Sequence, residues 1–389
     1  MPHFSIRLPV LIGAVITLIV AASAAVFLLM HVDTPKPISY VKDEYIRCIN
    51  LQGNVTIGNC LNALAHYAYD HYPLLDIGGE IDQLSYQDKN RWCHETMHYL
   101  GWSAYQKEGS VSKAFMKALP ECDSGMYHGI MEEYLREHGF TDNIKELIKN
   151  VCVDSLENNP DFSEGTKALC YHGLGHGLMF VTASDLKKSL DFCDLLGETP
   201  ATECYSGVFM EYKTSKAIGA LDNNKDLNDF SQCLGLTPNQ AHSCFVTQGL
   251  NYLSLAGGDV GQAMRYCEKV PEEYRQVCYF GVGANTPSPG RSHHDSGLAC
   301  EAARDVSLDA YKGCVQGGLA FVIQLDRGTT KGALDFCSVI DADVQSYCYT
   351  QMGSTLQSWM LSSDTPQSEC SGVPSAYQAQ CKEGIAGHE

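Results

Sequence analysis

The sequence predicts an all-α protein, a disulfide-stapled helical-hairpin repeat (an α/α solenoid) that follows one N-terminal transmembrane helix. Three observations predict this fold class. Residues 8–30 carry no charge, the 18 cysteines fall into nine consecutive pairs, and glycine recurs at one position after several second cysteines. A sheet is disfavoured because apolar residues do not alternate with polar ones and β-branched residues are sparse.

The overall composition excludes two classes of protein. The 389 residues include 27 Lys and Arg against 46 Asp and Glu, which gives a net charge of −19. Such an acidic chain has no basic surface to neutralise phosphates, so we expect no nucleic-acid partner. An apolar content of 44% with 10% aromatic residues also argues against intrinsic disorder.

The N-terminal segment predicts a membrane anchor. The apolar run 8–30 is long enough to cross a bilayer, and the short head 1–7 contains Arg7. A cleaved signal peptide is the alternative, because Ala22-Ser23-Ala24 matches a small-residue cleavage site, but the apolar run continues to Met30. By the positive-inside rule we expect a single-pass protein with a cytoplasmic head, a linker at 31–44 and the bulk of the chain extracellular or periplasmic.

The cysteine spacing predicts nine local disulfides. Five pairs share ten intervening residues, and the C-x2-C spacing of zinc sites is absent, so oxidised cysteines are the favoured interpretation. The predicted pairs are 48/60, 93/122, 152/170, 193/204, 233/244, 267/278, 300/314, 337/348 and 370/381.

The same pairs mark an internal repeat. From position 170 onward the second cysteine recurs every 33 to 40 residues, which is the period of a two-helix unit. We expect a first helix that ends near the first cysteine and a second helix that opens at the second cysteine. Glycine follows that cysteine by three positions at Gly173, Gly207, Gly281 and Gly317. Because glycine inside a helix costs about 1 kcal/mol relative to alanine, its recurrence predicts a close helix crossing.

Period, helix pairing and paired cysteines resemble those of the disulfide-stapled Sel1-like and tetratricopeptide-like repeat proteins, over about residues 45–385. The resemblance implies an α/α repeat architecture. Since these families mostly bind other proteins, it also implies a non-catalytic scaffold with a protein partner on the repeat surface. We divide the repeats into a His/Glu-bearing part, 45–212, and a scaffold part, 213–389.

Histidine placement predicts a metal centre in the first part. Three successive repeats each carry a pair of candidate ligands at i and i+4, a spacing that stacks both side chains on one helix face. The predicted ligands are His94 with His98, His128 with Glu132, and His172 with His176.

A later repeat provides an internal control for these histidines. In the unit of Cys204, the positions that correspond to His172 and His176 hold Ser206 and Met210. The repeat therefore tolerates the absence of histidine, which favours a function over a structural role.

The segment His94-Glu95-Thr96-Met97-His98 resembles the HExxH motif of zinc metalloproteases. That resemblance implies two histidine ligands, Glu95 as general base and a third ligand at Glu132 or Glu133. A zinc metalloprotease would leave the pairs at 128 and 172 unused, so we keep it as an alternative.

The complete ligand inventory is similar to that of hemerythrin-like helical di-metal centres, in which imidazoles and carboxylates hold Fe or Mn. This similarity implies Glu132 as the bridging carboxylate, with Glu95, Glu133 or Glu211 nearby. Zn and Cu also suit imidazole ligands. The sequence thus predicts a membrane-anchored metalloenzyme, hydrolytic or oxidative, with Glu95 and Glu133 as catalytic carboxylates. The non-catalytic scaffold is the other alternative.

Overall fold

The computed structural model describes residues 36–88, 91–122, 124–139, 141, 143–217, 229–287, 291–326, 328–360 and 366–387. The chain divides into two units, 1–40 and 41–389, and the account below concerns the second. The predicted head 1–7 and anchor 8–30 lie outside the described residues. None of the helices that are described has the length and apolar character to cross a membrane.

The regular structure of the described residues is entirely helical, which confirms the predicted all-α class. The α-helices are α1 (Ser39–Ile49), α2 (Asn54–His71), α3 (Leu74–Asp88), α4 (Arg91–Glu108), α5 (Val111–Lys117), α6 (Gly125–His138), α7 (Ile144–Cys152), α8 (Glu164–Val181), α9 (Leu186–Cys193), α10 (Glu198–Ala217), α11 (Pro238–Leu255), α12 (Val260–Cys267), α13 (Arg275–Ala284), α14 (His293–Ala299), α15 (Glu301–Arg304), α16 (Leu308–Leu325), α17 (Lys331–Ser338), α18 (Ala342–Gln357), α19 (Pro366–Glu369) and α20 (Gln378–Ala386). Helix α1 begins inside the predicted linker 31–44.

All nine predicted disulfides are present. The short helices end near the first cysteine of a pair, as expected at Cys193 and Cys267. Helix α12 shows why such a segment is helical, because Val260, Ala263, Met264 and Cys267 fall on one buried face. Disulfides such as Cys193–Cys204 and Cys267–Cys278 fasten such a helix to the long helix that follows it, whereas Cys93–Cys122 joins the start of α4 to the segment before α6.

The expected start of the long helices was wrong. We expected them to open at the second cysteine, but α8 begins at Glu164, more than one turn before Cys170. Its first turn is capped by the Ser163 side chain, which accepts a hydrogen bond from the Thr166 backbone N–H. The second cysteine therefore lies inside the helix, where it is fully buried.

The recurring glycines mark close helix crossings, as predicted. A methyl group at Gly207 would lie 2.0 Å from the carbonyl oxygen of His172, and one at Gly281 would lie 2.0 Å from that of Val246. Only a residue without a side chain permits backbones to approach this closely. Successive long helices, from α4 to α18, consequently pack in chain order.

The succession of long helices returns on itself. The backbone N–H of Gly165 in α8 donates to the carbonyl oxygen of Ser358, just after α18, at 2.7 Å. The side-chain amide of Gln324 in α16 donates to the Ser124 hydroxyl at 3.0 Å. The helices between these contacts line a half-open cavity of about 1000 Å³. We call the helices that line it, α4, α6, α8, α10, α11, α13, α16 and α18, the inner helices.

Candidate metal centre

The structure brings the three predicted ligand pairs together. The pairs lie on α4, α6 and α8, and α6 packs between the other two helices. A methyl group at Gly129, next to His128, would lie 2.0 Å from the carbonyl oxygen of His98. This close crossing brings the imidazole rings of neighbouring helices into contact.

The ring contacts extend through all five histidines. His128 stacks on His176 with ring centroids 4.0 Å apart, and its ring lies 5.1 Å from that of His94. The His98 and His172 rings complete the group, at 5.2 Å and 4.9 Å from His128. His128 is therefore the central member of the cluster.

Three overlapping groups in this cluster place their ligand atoms within 4.8 Å of one another. They are His94, His98 and His128; His128, His172 and His176; and His98, Glu132 and His176. Ligands bound to one ion at about 2.0–2.1 Å from it are separated by about 3 to 3.5 Å. The expected convergence of the ligand pairs is confirmed, and the His and Glu groups are positioned to bind a metal.

Hydrogen bonds orient the first group. The Nδ1 atom of His94 lies 2.8 Å from the carbonyl oxygen of Cys122, and Nδ1 of His98 lies 2.9 Å from Oε1 of Glu132. A carbonyl or carboxylate oxygen accepts only, so both Nδ1 atoms carry the proton. In the neutral rings, both Nε2 atoms then present lone pairs.

These two lone pairs face each other. Nε2 of His94 and Nε2 of His98 are 3.0 Å apart, and Nδ1 of His128 lies 3.3 Å from the same atom of His98. Two lone pairs at this distance repel unless a cation lies between them. A proton on His98 or a metal ion satisfies that requirement, and the spacing of the three nitrogens suits three ligands of one ion.

His176 shows the same orientation in the second group. Its Nδ1 lies 3.2 Å from Oε2 of Glu211, which fixes the proton on that nitrogen. Its Nε2 is buried and has no hydrogen-bond partner among the described residues. A buried nitrogen without a partner costs free energy, whereas a bound metal ion would satisfy it.

Electrostatics separate His98 from the other histidines. Burial lowers the pKa of both His94 and His176 to about 3, and it holds the pKa values of His128 and His172 well below the ordinary range. Burial also acts to lower the pKa of His98, but the adjacent Glu132 carboxylate outweighs it and raises that pKa to about 9.

Glu132 responds in the opposite sense to His98. Burial acts to raise its pKa, but the attraction of His98 prevails and lowers it to about 2. Without a metal, the proton between the histidines therefore resides on His98. The rest of the cluster is a set of neutral imidazoles, which is the protonation state that binds metals.

One side of the cluster opens to the cavity. His98 and His176 are almost fully buried. His94, His128 and His172 line the cavity wall, and His94 and His172 keep some exposed surface there. A small molecule in the cavity would thus have direct access to a metal bound at this cluster.

The predicted carboxylates have different positions. Glu132 accepts hydrogen bonds from His98 and from the Trp102 indole N–H at 3.0 Å, so in this arrangement it orients His98. The hydroxyl of Tyr99 donates to Glu95 at 2.8 Å. Glu133 is not brought into the cluster, because its recorded contacts are a 2.6 Å hydrogen bond from Gln106 and an ion pair with Arg136.

Two contributors to the site were missed in the sequence. Trp102 lies at i+4 from His98 on the same helix face, so its spacing could have indicated its position near Glu132. The carbonyl of Cys122 could not be found in this way. It follows a left-handed backbone conformation, with φ of 54° at Cys122 and 60° at Ser124. Such conformations are costly for residues other than glycine, and they recur at functional sites.

No family model, no curated protein and no solved structure matches the chain. The all-helical, disulfide-rich architecture is only loosely compatible with the Sel1-like and tetratricopeptide-like resemblance, and no specific family is confirmed.

Proposed function

We propose that this protein is a metal-dependent enzyme whose centre binds a transition-metal ion through His94, His98 and His128. The convergence of the ligand nitrogens of these three histidines within 4.8 Å of one another carries the proposal, because oxygen acceptors hold the protons of His94 and His98 on Nδ1 and leave both Nε2 atoms directed toward each other. The access from the cavity supports catalysis over a closed structural site, in which protein ligands would surround the metal.

Zinc with hydrolytic chemistry fits the donor set best. Three imidazoles with an open coordination position form a ligand set known from catalytic zinc sites. A zinc ion held in this way supplies a Lewis acid and lowers the pKa of a water molecule that it binds. Glu95 is our proposed proton acceptor. The Tyr99 hydroxyl donates a hydrogen bond to its carboxylate, and the negative charge of that carboxylate acts to raise the pKa of His98. No contact of Glu133 supports a catalytic role for that residue.

A two-metal centre with oxidative chemistry is the second candidate. Its support is the group of His128, His172 and His176, which adds two imidazoles to His128. These residues would hold a second ion, and Fe, Mn or Cu suits such ligands. The two candidates differ in metal stoichiometry.

Metal analysis of the full chain tests both candidates. One zinc per chain supports the hydrolytic site, and two redox-active ions support the oxidative one. Absence of bound metal after incubation with each ion would contradict both and leave the protein-binding scaffold. Substitution with Co²⁺ adds an optical spectrum that reports tetrahedral imidazole ligation.

A variant designed from the chain itself makes the test specific. Replacing His172 by Ser and His176 by Met installs the residues of the Cys204 unit, so helical content should persist. The second ion should be lost, and binding of the first should weaken because His128 loses its stacking partner. The matched control replaces the exposed His66 and His71 by the same two residues, and it should retain all metal.

We also propose, from residues 8–30 alone, that the enzyme is a single-pass membrane protein with its repeats outside the cytoplasm. Full-length chain should remain with membranes under alkaline extraction, whereas a chain that begins at residue 32 should not. Release of the full-length chain would contradict the anchor and favour a cleaved signal peptide.

A further inference from the structure

The half-open cavity lined by the inner helices has the size of a small-molecule chamber. Its volume of about 1000 Å³ is at the upper end of the range for pockets that bind drug-sized ligands. Residues from all eight inner helices line it, so it is not a gap between two poorly packed elements. The three histidines of the metal cluster form one part of its wall.

The remaining wall is largely apolar and aromatic. Phe280, Phe321 and Trp359 present rings to the cavity, and Val246 and Leu250 add aliphatic surface. Burial of an apolar ligand against such surface is favourable by about 25 cal/mol for each Å² removed from water. The chemistry of the wall therefore favours a ligand with a substantial apolar body.

Most charged groups of the wall are engaged by the protein. The Lys167 ammonium pairs with Glu164 at 2.7 Å, and the Tyr171 hydroxyl donates to Glu157 at 2.9 Å. The buried Lys213 ammonium donates to the Gln248 side chain at 2.7 Å and to a backbone carbonyl at 3.0 Å. Both lysines of the described wall thus donate hydrogen bonds to oxygen atoms of the protein.

Glu203 is different from these groups. It lies on α10 in the cavity wall, and none of the described residues hydrogen-bonds to its carboxyl group. Protein surrounds the side chain except where it faces the cavity, and this burial raises its pKa to about 7. Near neutral pH a large fraction of Glu203 is a carboxylic acid, which can donate a hydrogen bond.

We propose that this cavity is the substrate chamber of the metal centre and takes an uncharged, predominantly apolar small molecule to which the Glu203 carboxyl group donates a hydrogen bond. The inference rests on the proposed function, because the chamber opens onto the histidine cluster. In the metal-free chain the wall carries three glutamates, Glu157, Glu164 and Glu203, beside two lysines, so it offers an anionic ligand no net positive charge. A strongly polar ligand would leave the aromatic surface unmatched.

Binding of the carbonyl-bearing dye Prodan to the metal-free full chain tests the ligand class. Prodan is uncharged and largely apolar, and its emission shifts to longer wavelength when a donor hydrogen-bonds to its carbonyl. We expect saturable binding at one site per chain.

Ala320→Trp should fill the cavity and weaken binding at least tenfold, whereas Ala342→Trp, at an exposed position, should not. Dye that still binds to the Ala320→Trp variant gives the amount bound outside the cavity. Equal binding by both variants would overturn the chamber.

Charge selectivity is tested with a matched pair of probes. N-phenyl-1-naphthylamine and 8-anilinonaphthalene-1-sulfonate share their rings and differ by one sulfonate. We expect the uncharged probe to bind at least tenfold more tightly at the site that Ala320→Trp blocks. Tighter binding of the sulfonate there would overturn the proposed ligand class.

Two substitutions test the role of Glu203. Glu203→Gln keeps a donor and should preserve both Prodan affinity and its red-shifted emission. Glu203→Leu removes the donor and should weaken binding about fivefold and shift the emission to shorter wavelength. Emission that is unchanged in Glu203→Leu would contradict the hydrogen bond.

The link to the metal centre needs a separate measurement. Cu²⁺ added to the Prodan complex should quench its emission, because the ion would be bound at the cavity wall. His128→Ala removes the ligand that both histidine groups share and should abolish the quenching. Quenching that persists in His128→Ala, or Cu²⁺ binding without quenching, would overturn the assignment as a substrate chamber. If no metal binds but Prodan still does, the proposed function has failed while the ligand-binding site remains.

Discussion

The first three inner helices and the later ones share a scaffold but differ in what they present to the cavity. A methyl group at Gly129 would lie 2.0 Å from the carbonyl oxygen of His98, and one at Gly317 would lie equally close, 2.0 Å, to that of Phe280. Disulfides fasten both regions in the same way. In the early helices the crossing brings imidazoles together, whereas Phe280 presents an aromatic ring to the cavity. The scaffold therefore does not dictate the residues on its inner face.

The comparison also shows that the histidines are costly for folding. Ser206 and Met210 line the cavity on α10, and neither side chain is ionisable. At the corresponding places on α8, burial opposes protonation of His172 and His176. Functional sites often lower the folding stability of a protein. A bound ligand that stabilises the folded state would offset the free-energy cost of these buried imidazoles.

The largest expected difference between the two regions is the response of the metal-free protein to acid. Four histidines have a folded-state pKa below the unfolded value of about 6.5, so the unfolded state binds more protons as the pH falls. Each can remove up to about 1.4 kcal/mol of unfolding free energy per pH unit below that value. We expect a steep loss of stability between pH 6.5 and 4.5, measured by denaturant titration after chelation.

His98 acts in the opposite direction. Its folded-state pKa of about 9 lies above the unfolded value, so its stabilising contribution is complete below pH 6.5 and is lost as the pH rises through 9. The variant His172→Ser with His176→Met removes two of the four acid-sensitive groups, and its acid slope should fall to about half. An unchanged slope would show that these rings are not buried in their neutral form.

A smaller effect is expected from matched glycine substitutions in the two regions. An alanine methyl group would approach a carbonyl oxygen to 2.0 Å both in Gly207→Ala, at His172, and in Gly281→Ala, at Val246. Overpacking of this kind costs about 1 to 3 kcal/mol, and both variants should be destabilised by that amount. Only Gly207→Ala should also weaken metal binding at the group of His128, His172 and His176, about tenfold, because the strain displaces His172.

Denaturation midpoints and metal dissociation constants of these two variants provide the measurement. Equal losses of metal affinity in the two variants would show that the later helices are coupled to the metal centre. That result would contradict the proposed division between a metal-binding region and a scaffold region. Unchanged stability in both variants would contradict the close crossings themselves.

Local spacing predicted much of this molecule, and non-local contacts account for what it missed. The i, i+4 ligand pairs and the cysteine pairs are short-range patterns, so the sequence displays them directly. The return of Gly165 to Ser358 joins residues far apart in the chain, and no local pattern encodes it. For the same reason the sequence indicated a helix-borne metal centre but not the cavity beside it.

The interpretation of Glu132 has a related physical limit. Its spacing from His128 suggested a bridging ligand, but its two oxygens accept hydrogen bonds from His98 and Trp102. Spacing specifies which helix face a carboxylate lies on, whereas its partners depend on the neighbouring helix. Its role as a ligand stays a prediction that a metal-bound structure would test.

The smallest expected effect concerns the hydrogen bond that orients His176. Oε2 of Glu211 lies 3.2 Å from Nδ1 of His176 and keeps the proton on that nitrogen, so the lone pair lies on Nε2. Glu211→Gln preserves shape but offers a neutral, weaker acceptor. Loss of such orienting partners lowers metal affinity about 10- to 100-fold, and this distance places the effect near tenfold.

Asn239→Asp, at an exposed position on α11, supplies a charge change of the opposite sign as a control and should leave affinity unchanged. Metal titration of both variants decides whether the carboxylate orients the histidine, because an unaltered affinity in Glu211→Gln would show that packing alone positions His176.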